Sequence, residues 1–483
     1  MSGNFKRENR EIPMVSNSKD EERSANVTDG TADVYAMGKS DGPIVPANPT
    51  NNDGAGPSAE SAEERGPAKR NVDQPALHRT PSRTKRRSRG LAGVREAARK
   101  DSTLKFTALL HHVNEDCLTE AFFNLKKTAA VGVDKVTWHE YEQDLETNIA
   151  DLHGRIHRGA YRAKPSRRVW IPKPDGRQRP LGVASLEDKI VQEAVLWVLQ
   201  CIYEQDFLGF SYGFRPGRSQ HNALDALYAA ILGKRVNWVL DADIEGFFDT
   251  IDHQWLIKFL EHRIGDRRIL RLIRKWLLAG VSEEGQWSET KIGTPQGAVI
   301  SPLLANVFLH YVFDLWVQWW RENHARGDVV VIRYADDFVM GFEHRKEAVA
   351  CLEMLRARFA KFGLKLHKEK TRLIEFGRFA DQQRKRRGDR RPETFDFLGF
   401  THMCDKTRTN GCFTVRRYSI AKRMRATLVA IKRELHKRMH RPLGETARWL
   451  ASVLRGWLNY HAVPGNSRRL KQFTDEVHKL WFN

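Results

Sequence analysis

The residues able to do chemistry are carboxylates in two strand-like stretches. In WVLDADIEGFFDTIDH (residues 238–253), Asp241 and Asp243 end an apolar run two positions apart, so on a strand they point to one side. In VVVIRYADDFVMGF (residues 329–342), a β-branched run reaches Tyr334-Ala335-Asp336-Asp337 and resumes as Phe338-Val339-Met340, the pattern of a tight hairpin with two acids at its tip. Acids held there repel one another and lose hydration unless a cation neutralises them. Mg²⁺ suits the task, because it takes one or two protein carboxylates and fills its shell with water and phosphate oxygens. Two such ions, one activating an attacking hydroxyl and one steadying the leaving oxygen, run in-line transfer at phosphorus. An Asp pair in a turn is also ordinary turn chemistry. The acid-bearing strand upstream is what strengthens the metal reading.

Interleaved strands and helices must position these acids. Strand-like runs occur at 167–174, 237–244 and 328–342, and helical periodicity at 186–205, 302–323 and 346–363. The stretches 103–113 and 116–129 also carry apolar residues at helical spacing, followed by the turn Gly132-Val133-Asp134. The fold class expected is α+β, with no internal repeat.

Composition bounds the partners. The chain has 483 residues, 41% hydrophobic, enough for a real core, and a net charge of +21 that calls for a large polyanion. Residues 1–90 are rich in Ser, Asn, Asp, Glu, Gly and Pro and read as a disordered arm. The arm ends in the basic run from Arg83 to Arg89, either a nucleic-acid contact or a solvated linker. Residues 416–483 read as helical and hold sixteen Lys or Arg against four Asp or Glu. There Ile420, Met424, Leu428, Ile431 and Leu435 share one helical face, while Lys422, Arg423, Arg425, Lys432, Arg433, Lys437 and Arg438 cover much of the rest as a candidate phosphate surface. The five cysteines show no CxxC spacing, which argues against a zinc knuckle or a disulfide framework and for a reducing compartment. No apolar run approaches the roughly eighteen residues of a membrane span, and the N terminus lacks a secretory core, so a soluble intracellular protein without a membrane partner is expected.

Taken together, the motifs resemble the group II intron-encoded reverse transcriptase/maturase family. Tyr334-Ala335-Asp336-Asp337 resembles its YxDD box, and residues 240–253 resemble its preceding palm motif. Residues 168–185, 211–224 (SYGFRPGRSQHNAL), 293–309 (GTPQGAVISPLLANVFL), 362–373 and Phe397-Leu398-Gly399-Phe400 resemble its other segments in the same order, and 455–467 (RGWLNYHAVPGNS) its maturase domain. The resemblance implies that Asp243 and Asp336 bind two Mg²⁺ ions, with Mn²⁺ as a substitute, and that Asp337 stands beside them in the metal site. It implies that Lys173 and Arg179 hold the incoming deoxynucleoside triphosphate, that Gln296 contacts the nucleotide and template region, and that Lys370 belongs to the segment after the YxDD hairpin. Phe248 matches the residue that stacks under the sugar and excludes a 2′-hydroxyl; an aromatic next to a strand end is also commonly core.

The resemblance also implies a right-hand polymerase with a ferredoxin-like palm: fingers at 91–235, palm at 236–403 and a helical thumb/maturase region at 404–483, after the arm at 1–90. The function implied is RNA-directed DNA synthesis in the prokaryotic cytosol, with group II intron RNA bound, helped to splice and copied into cDNA during retrohoming from a DNA primer or target DNA. A domesticated enzyme of phage defence or CRISPR spacer acquisition, and a noncatalytic splicing chaperone, are the alternatives. Two departures stand out. Asp241 and Glu245 add acids near the site, where many relatives carry Lys at the second position, and the chain is expected to lack the endonuclease that follows the maturase domain in many relatives.

Overall fold

The computed structural model describes residues 81–172, 178–283, 286–288, 292–294 and 297–482. Most of the expected arm, Lys173 and Gln296 lie outside the described residues.

The central sheet orders its strands β6-β7-β3-β8, where β3 is Trp238–Asp243, β6 Val329–Tyr334, β7 Asp337–Phe342 and β8 Arg372–Glu375. Every pairing in it is antiparallel. Alternation along the strands sends side chains to two different cores, as the twofold repeat of a strand requires. Leu240, Ala242, Val331, Phe338 and Met340 join a large helical core with the helices Leu186–Asp206 and Arg345–Lys361. Val239, Val330, Ile332, Val339 and Ile374 join a second core with the helix Gln220–Gly233 and a three-stranded sheet. That sheet consists of β9 (Phe395–Phe397), β10 (Phe400–Lys406) and β11 (Phe413–Ser419). A sheet covered on both faces explains why these strands read as near-continuous apolar runs.

A third sheet orders β2-β1-β4-β5, with β1 Ser166–Pro172, β2 Gln178–Val183, β4 Val281–Glu283 and β5 Gln286–Ser288. At the C-terminal end, the helices Ala421–Lys437, Leu443–His461 and Ser467–Phe482 enclose a small core of Met424, Ile431, Leu450, Trp457, Phe473 and Val477. The Trp457 and Phe473 rings stack there at 3.6 Å between centroids.

Three expectations change. The stretch 103–113 forms no α-helix, and only Leu110–His112 makes a 3-10 turn. Long-range bonds override its periodicity: Phe106 N donates to Arg263 O at 2.8 Å, and the Asp266 carboxylate accepts from Leu109 N and Leu110 N. The basic run 83–89 falls inside a helix, Pro81–Lys100, whose later residues Leu91, Val94 and Ala98 are buried in the main core, so the last ten residues assigned to the arm continue an anchored helix. Residues 416–419 belong to strand β11, and the helix starts at Ala421. Here the pairing with β10 decides, because Arg417 turns inward to reach Asp225 at 2.7 Å. Among the described residues no helix is long and apolar enough to cross a membrane.

Candidate active site

Strand register brings the acids together. Asp243, the last residue of β3, lies directly opposite Asp337, the first residue of β7. Asp241 lies two residues back, on the same side of the sheet. Tyr334 pairs with Asp337, leaving Ala335 and Asp336 as a two-residue hairpin loop. Ala335 takes φ +59°, a conformation that favours glycine at this place in a tight hairpin. Neighbouring backbone holds it: a Cβ on Gly213 would sit 2.2 Å from Ala335 N, so only glycine allows the chain at 213 to lie against the turn.

The electrostatics are those of an acid cluster short of positive charge. Burial, with repulsion from Asp241, Asp243 and Asp336, pushes the Asp337 carboxyl up to about 8, and Arg423 pulls weakly the other way. Burial, reinforced by Asp243, also raises Asp336, against the opposing charges of Arg179 and Lys370. Asp241 rises to about 6 through burial, opposed by Arg372, whose Nη2 reaches its carboxylate at 3.3 Å. Lys370 Nζ donates to the Asp243 carboxylate. Among the described residues no group of three or more His, Cys, Asp or Glu forms a ready metal cage. Mg²⁺ asks for less: one or two hard carboxylates, with water and phosphate completing the shell. Asp243 and Asp336 present carboxylates of that kind, and burial disfavours leaving Asp336 ionised without a cation.

Around the acids, Arg179 is exposed on β2. Phe248 is half-buried in the short turn after Gly246, packed beside Phe247 at 5.4 Å between rings. Its carbonyl accepts from Thr294 N at 2.7 Å, and a Cβ on Gly293 would lie 2.9 Å from that same oxygen. The loop entering Gln296 is thus tied to the backbone of Phe248. On the far side, Gly297 takes φ +109° against the Gly182 carbonyl of β2.

Residues absent from the sequence reading complete the site from beneath. Arg333 is fully buried, and each of its five N–H donors has an acceptor. Nε and Nη2 grip the Asp314 carboxylate, Nη1 donates to Asn306 Oδ1 and to the Ala335 carbonyl, both at 3.0 Å, and Nη2 also reaches Ser211 Oγ at 2.7 Å. Asp314 closes a π-helical turn, His310–Asp314, inserted in the predicted helix 302–323. A signal existed: a lone Arg in an apolar strand and a lone Asp in an apolar helical run must each find a partner.

Of the seven cations in the basic helix, Lys422, Arg423, Arg425, Lys432, Arg433 and Lys437 are exposed. Arg423 approaches the turn between β9 and β10, 3.5 Å from where a Gly399 Cβ would be. Arg438 is engaged structurally, bonded to Glu434 at 2.8 Å and 4.8 Å above the Trp449 ring. Of the predicted apolar face, Met424 and Ile431 are buried and Leu428 and Leu435 pack against them, while Ile420 lies just before the helix begins at Ala421.

Comparison with known proteins adds the family. A family profile described as reverse transcriptase (RNA-dependent DNA polymerase) matches residues 171–402. The chain is 33% identical over 313 residues to the protein YkfC of Escherichia coli, covering 57% of this chain and 81% of that one. It is 41% identical over 227 residues to the group II intron-encoded protein LtrA of Lactococcus lactis subsp. cremoris, covering 46% of this chain and 38% of that one. It is 35% identical over 222 residues to an uncharacterized protein in a cob intron of Schizosaccharomyces pombe, covering 45% of this chain and 27% of that one. The chain therefore spans well under half the length of these two intron proteins. With the acids in register across β3 and β7, and YkfC matched over most of its length, the chain belongs to the reverse transcriptase (RNA-dependent DNA polymerase) family, alongside group II intron-encoded proteins.

Proposed function

We propose that this reverse transcriptase binds group II intron RNA, assists its splicing and copies it into cDNA by extending a DNA primer or nicked target DNA. The observation that carries the polymerase part is the register that sets Asp243 opposite Asp337, with Asp336 on the turn between β6 and β7. Asp243 and Asp336 are the residues we assign to hold Mg²⁺, with Mn²⁺ as a substitute; the bound ions would activate the primer hydroxyl and steady the leaving pyrophosphate oxygen. The protein's own groups then do the positioning. Arg179 and Lys370 offer charge to the triphosphate, Lys173 and Gln296 join them by resemblance, and by the same resemblance the Phe248 ring would exclude a 2′-hydroxyl.

The order β6-β7-β3-β8, with the helix Arg345–Lys361 between β7 and β8, is the ferredoxin-like order, and it supports a right hand with its palm at 236–403. The same reading assigns fingers to 91–235 and a thumb/maturase region to 404–483. The exposed cations of the helix Ala421–Lys437 supply a phosphate-binding face for intron RNA, and the similarity to LtrA supports that partner. The free cysteines suit the cytosol we assign to it. Intact acids favour this reading over a noncatalytic chaperone.

The test is primer extension with purified protein, an RNA template, a DNA primer, deoxynucleotides and Mg²⁺. Extension that disappears in Asp336→Ala, with RNA affinity retained, is the expected result. Extension by Asp336→Ala at the normal rate overturns the metal assignment.

A further inference from the structure

The acids sit on a hairpin whose own geometry is awkward. A two-residue loop with Ala335 at φ +59° lacks the glycine or asparagine that relieves such a turn, and Asp336 within the loop and Asp337 at the start of β7 repel one another. Left to local preference, this tip would splay. Besides the backbone packed against it at Gly213, one side chain opposes that, because Arg333 Nη1 donates to the Ala335 carbonyl at 3.0 Å from within the core.

We propose that Arg333 is a positioning residue for nucleotidyl transfer, holding the Ala335-Asp336 turn in its catalytic shape through a buried fork anchored on Asp314, Asn306 and Ser211. The proposal rests on the polymerase reading above.

Five acceptor atoms, from Asp314, Asn306, Ser211 and Ala335, converge on the guanidinium. Asp314 comes from the π-helical turn, Asn306 from one helical turn or two before it, and Ser211 from the segment that runs beside β6. That segment is itself fixed to β6: Arg333 N donates to Phe210 O at 2.9 Å, and Tyr212 N donates to Arg333 O at 2.8 Å. Asn306 Nδ2 donates to Gly213 O at 2.7 Å, so the residue that orients Arg333 also seats the glycine pressed against Ala335 N. The turn is thus held at its carbonyl by a side chain and at its amide by close-packed backbone.

Charge explains the choice of residues. A guanidinium stays protonated even when buried, and its planar fork meets a carboxylate bidentately while other N–H groups point elsewhere. A lysine could neutralise Asp314 but not reach the Ala335 carbonyl, Asn306 and Ser211 together. The π turn is what aims Asp314 at the fork; regular α-helical winding there would rotate the carboxylate away, and such single-turn insertions are frequent at functional sites.

Arg333→Lys in the full chain is the test, with Ser211→Ala and Asn306→Ala, which each remove one anchor, as milder companions. The measurements are kcat and KM for deoxynucleotide in primer extension, RNA affinity, the Mg²⁺ concentration giving half-maximal rate, and amide hydrogen exchange across Tyr334–Asp337. For Arg333→Lys, kcat should fall about tenfold or more, since a catalytic group displaced by about 1 Å costs rate steeply. KM and RNA affinity should stay within about twofold, the Mg²⁺ requirement should rise, and the turn amides should exchange faster. The two milder variants should shift exchange and Mg²⁺ requirement in the same direction by less. A folded Arg333→Lys protein with normal kcat, Mg²⁺ dependence and turn exchange overturns the proposal. If Arg333→Lys does not fold, folded Ser211→Ala and Asn306→Ala proteins with unchanged Mg²⁺ dependence and turn exchange overturn it equally. A wild-type protein that extends no primer would instead sink the polymerase reading, and faster exchange in Arg333→Lys would still be read independently of it.

Discussion

The ammonium of Lys370 is bonded to the carboxylate of Asp243, so a side chain already supplies the cation that this acid calls for. Asp243 ends β3, while Lys370 lies in the turn two residues before β8 and is exposed, so its side chain could swing away from Asp243 to admit a metal ion or a triphosphate. Competition for one carboxylate follows. Lys370→Ala should lower the Mg²⁺ concentration needed for half-maximal extension, while raising KM for deoxynucleotides if its charge also meets the triphosphate. Thermal melting should barely move, because an exposed ion pair contributes only about 0.2–1 kcal/mol. An unchanged Mg²⁺ titration removes Lys370 from that competition.

Protonation of the acid cluster should be visible as a pH-dependent stability. Burial and repulsion lift Asp337 from its ordinary 3.8 to about 8, and lift Asp336 as well. Between those values the folded protein binds protons that the unfolded chain has released. Stability of the Mg²⁺-free protein from this cluster should therefore fall as pH rises from about 4 through about 8. Excess Mg²⁺ should flatten the slope, because it favours the ionised form. Melting curves across that range, with and without Mg²⁺, check the sign; a stability that rises over the window in the metal-free protein contradicts it.

Phe248 offers a specificity test that spares the backbone. Its contacts with Gly293 and Thr294 run through its carbonyl, so Phe248→Ala should leave the loop attached. Removing the ring should raise ribonucleotide incorporation relative to deoxynucleotide by roughly tenfold or more, measured as the ratio of kcat/KM values. An unaltered ratio would return Phe248 to a packing role.

On the basic helix, the structure separates cations that the sequence could only group. Neutralising Lys432, Arg433 and Lys437 should weaken binding to structured RNA and reduce the slope of log affinity against log salt by roughly one per lost contact. Arg438→Gln should instead lower the melting temperature more than the slope, since Arg438 holds Glu434 and covers Trp449. Equal slopes for wild type and the triple variant would exclude this face from the binding surface.

Asp266 tests the segment whose helical spacing proved misleading. Burial works against its charge, but bonds from Arg268 and from the amides of Leu109 and Leu110 outweigh that and draw the carboxyl down to about 2. Its stabilisation is present above about pH 4 and lost as pH falls towards 2. Asp266→Ala orphans two buried amides and should cost roughly 1–3 kcal/mol in urea unfolding at neutral pH. A cost near zero would mean that water replaces the carboxylate.

Much of this protein was legible from local pattern. Near-continuous apolar runs announced β3, β6 and β7, the helical repeat announced 186–205 and 346–363, and the acids announced themselves by sitting where those strands end. Such signals survive because period and burial are written in neighbouring residues. Tertiary structure decided what neighbours cannot encode: that Asp243 faces Asp337, that Arg333 meets Asp314 and Ser211, and that 103–109 forsakes its helical spacing for Arg263 and Asp266. The first follows from strand register, which sets two like charges together; the others are chosen because a buried charge or amide must find its complement wherever the fold presents one.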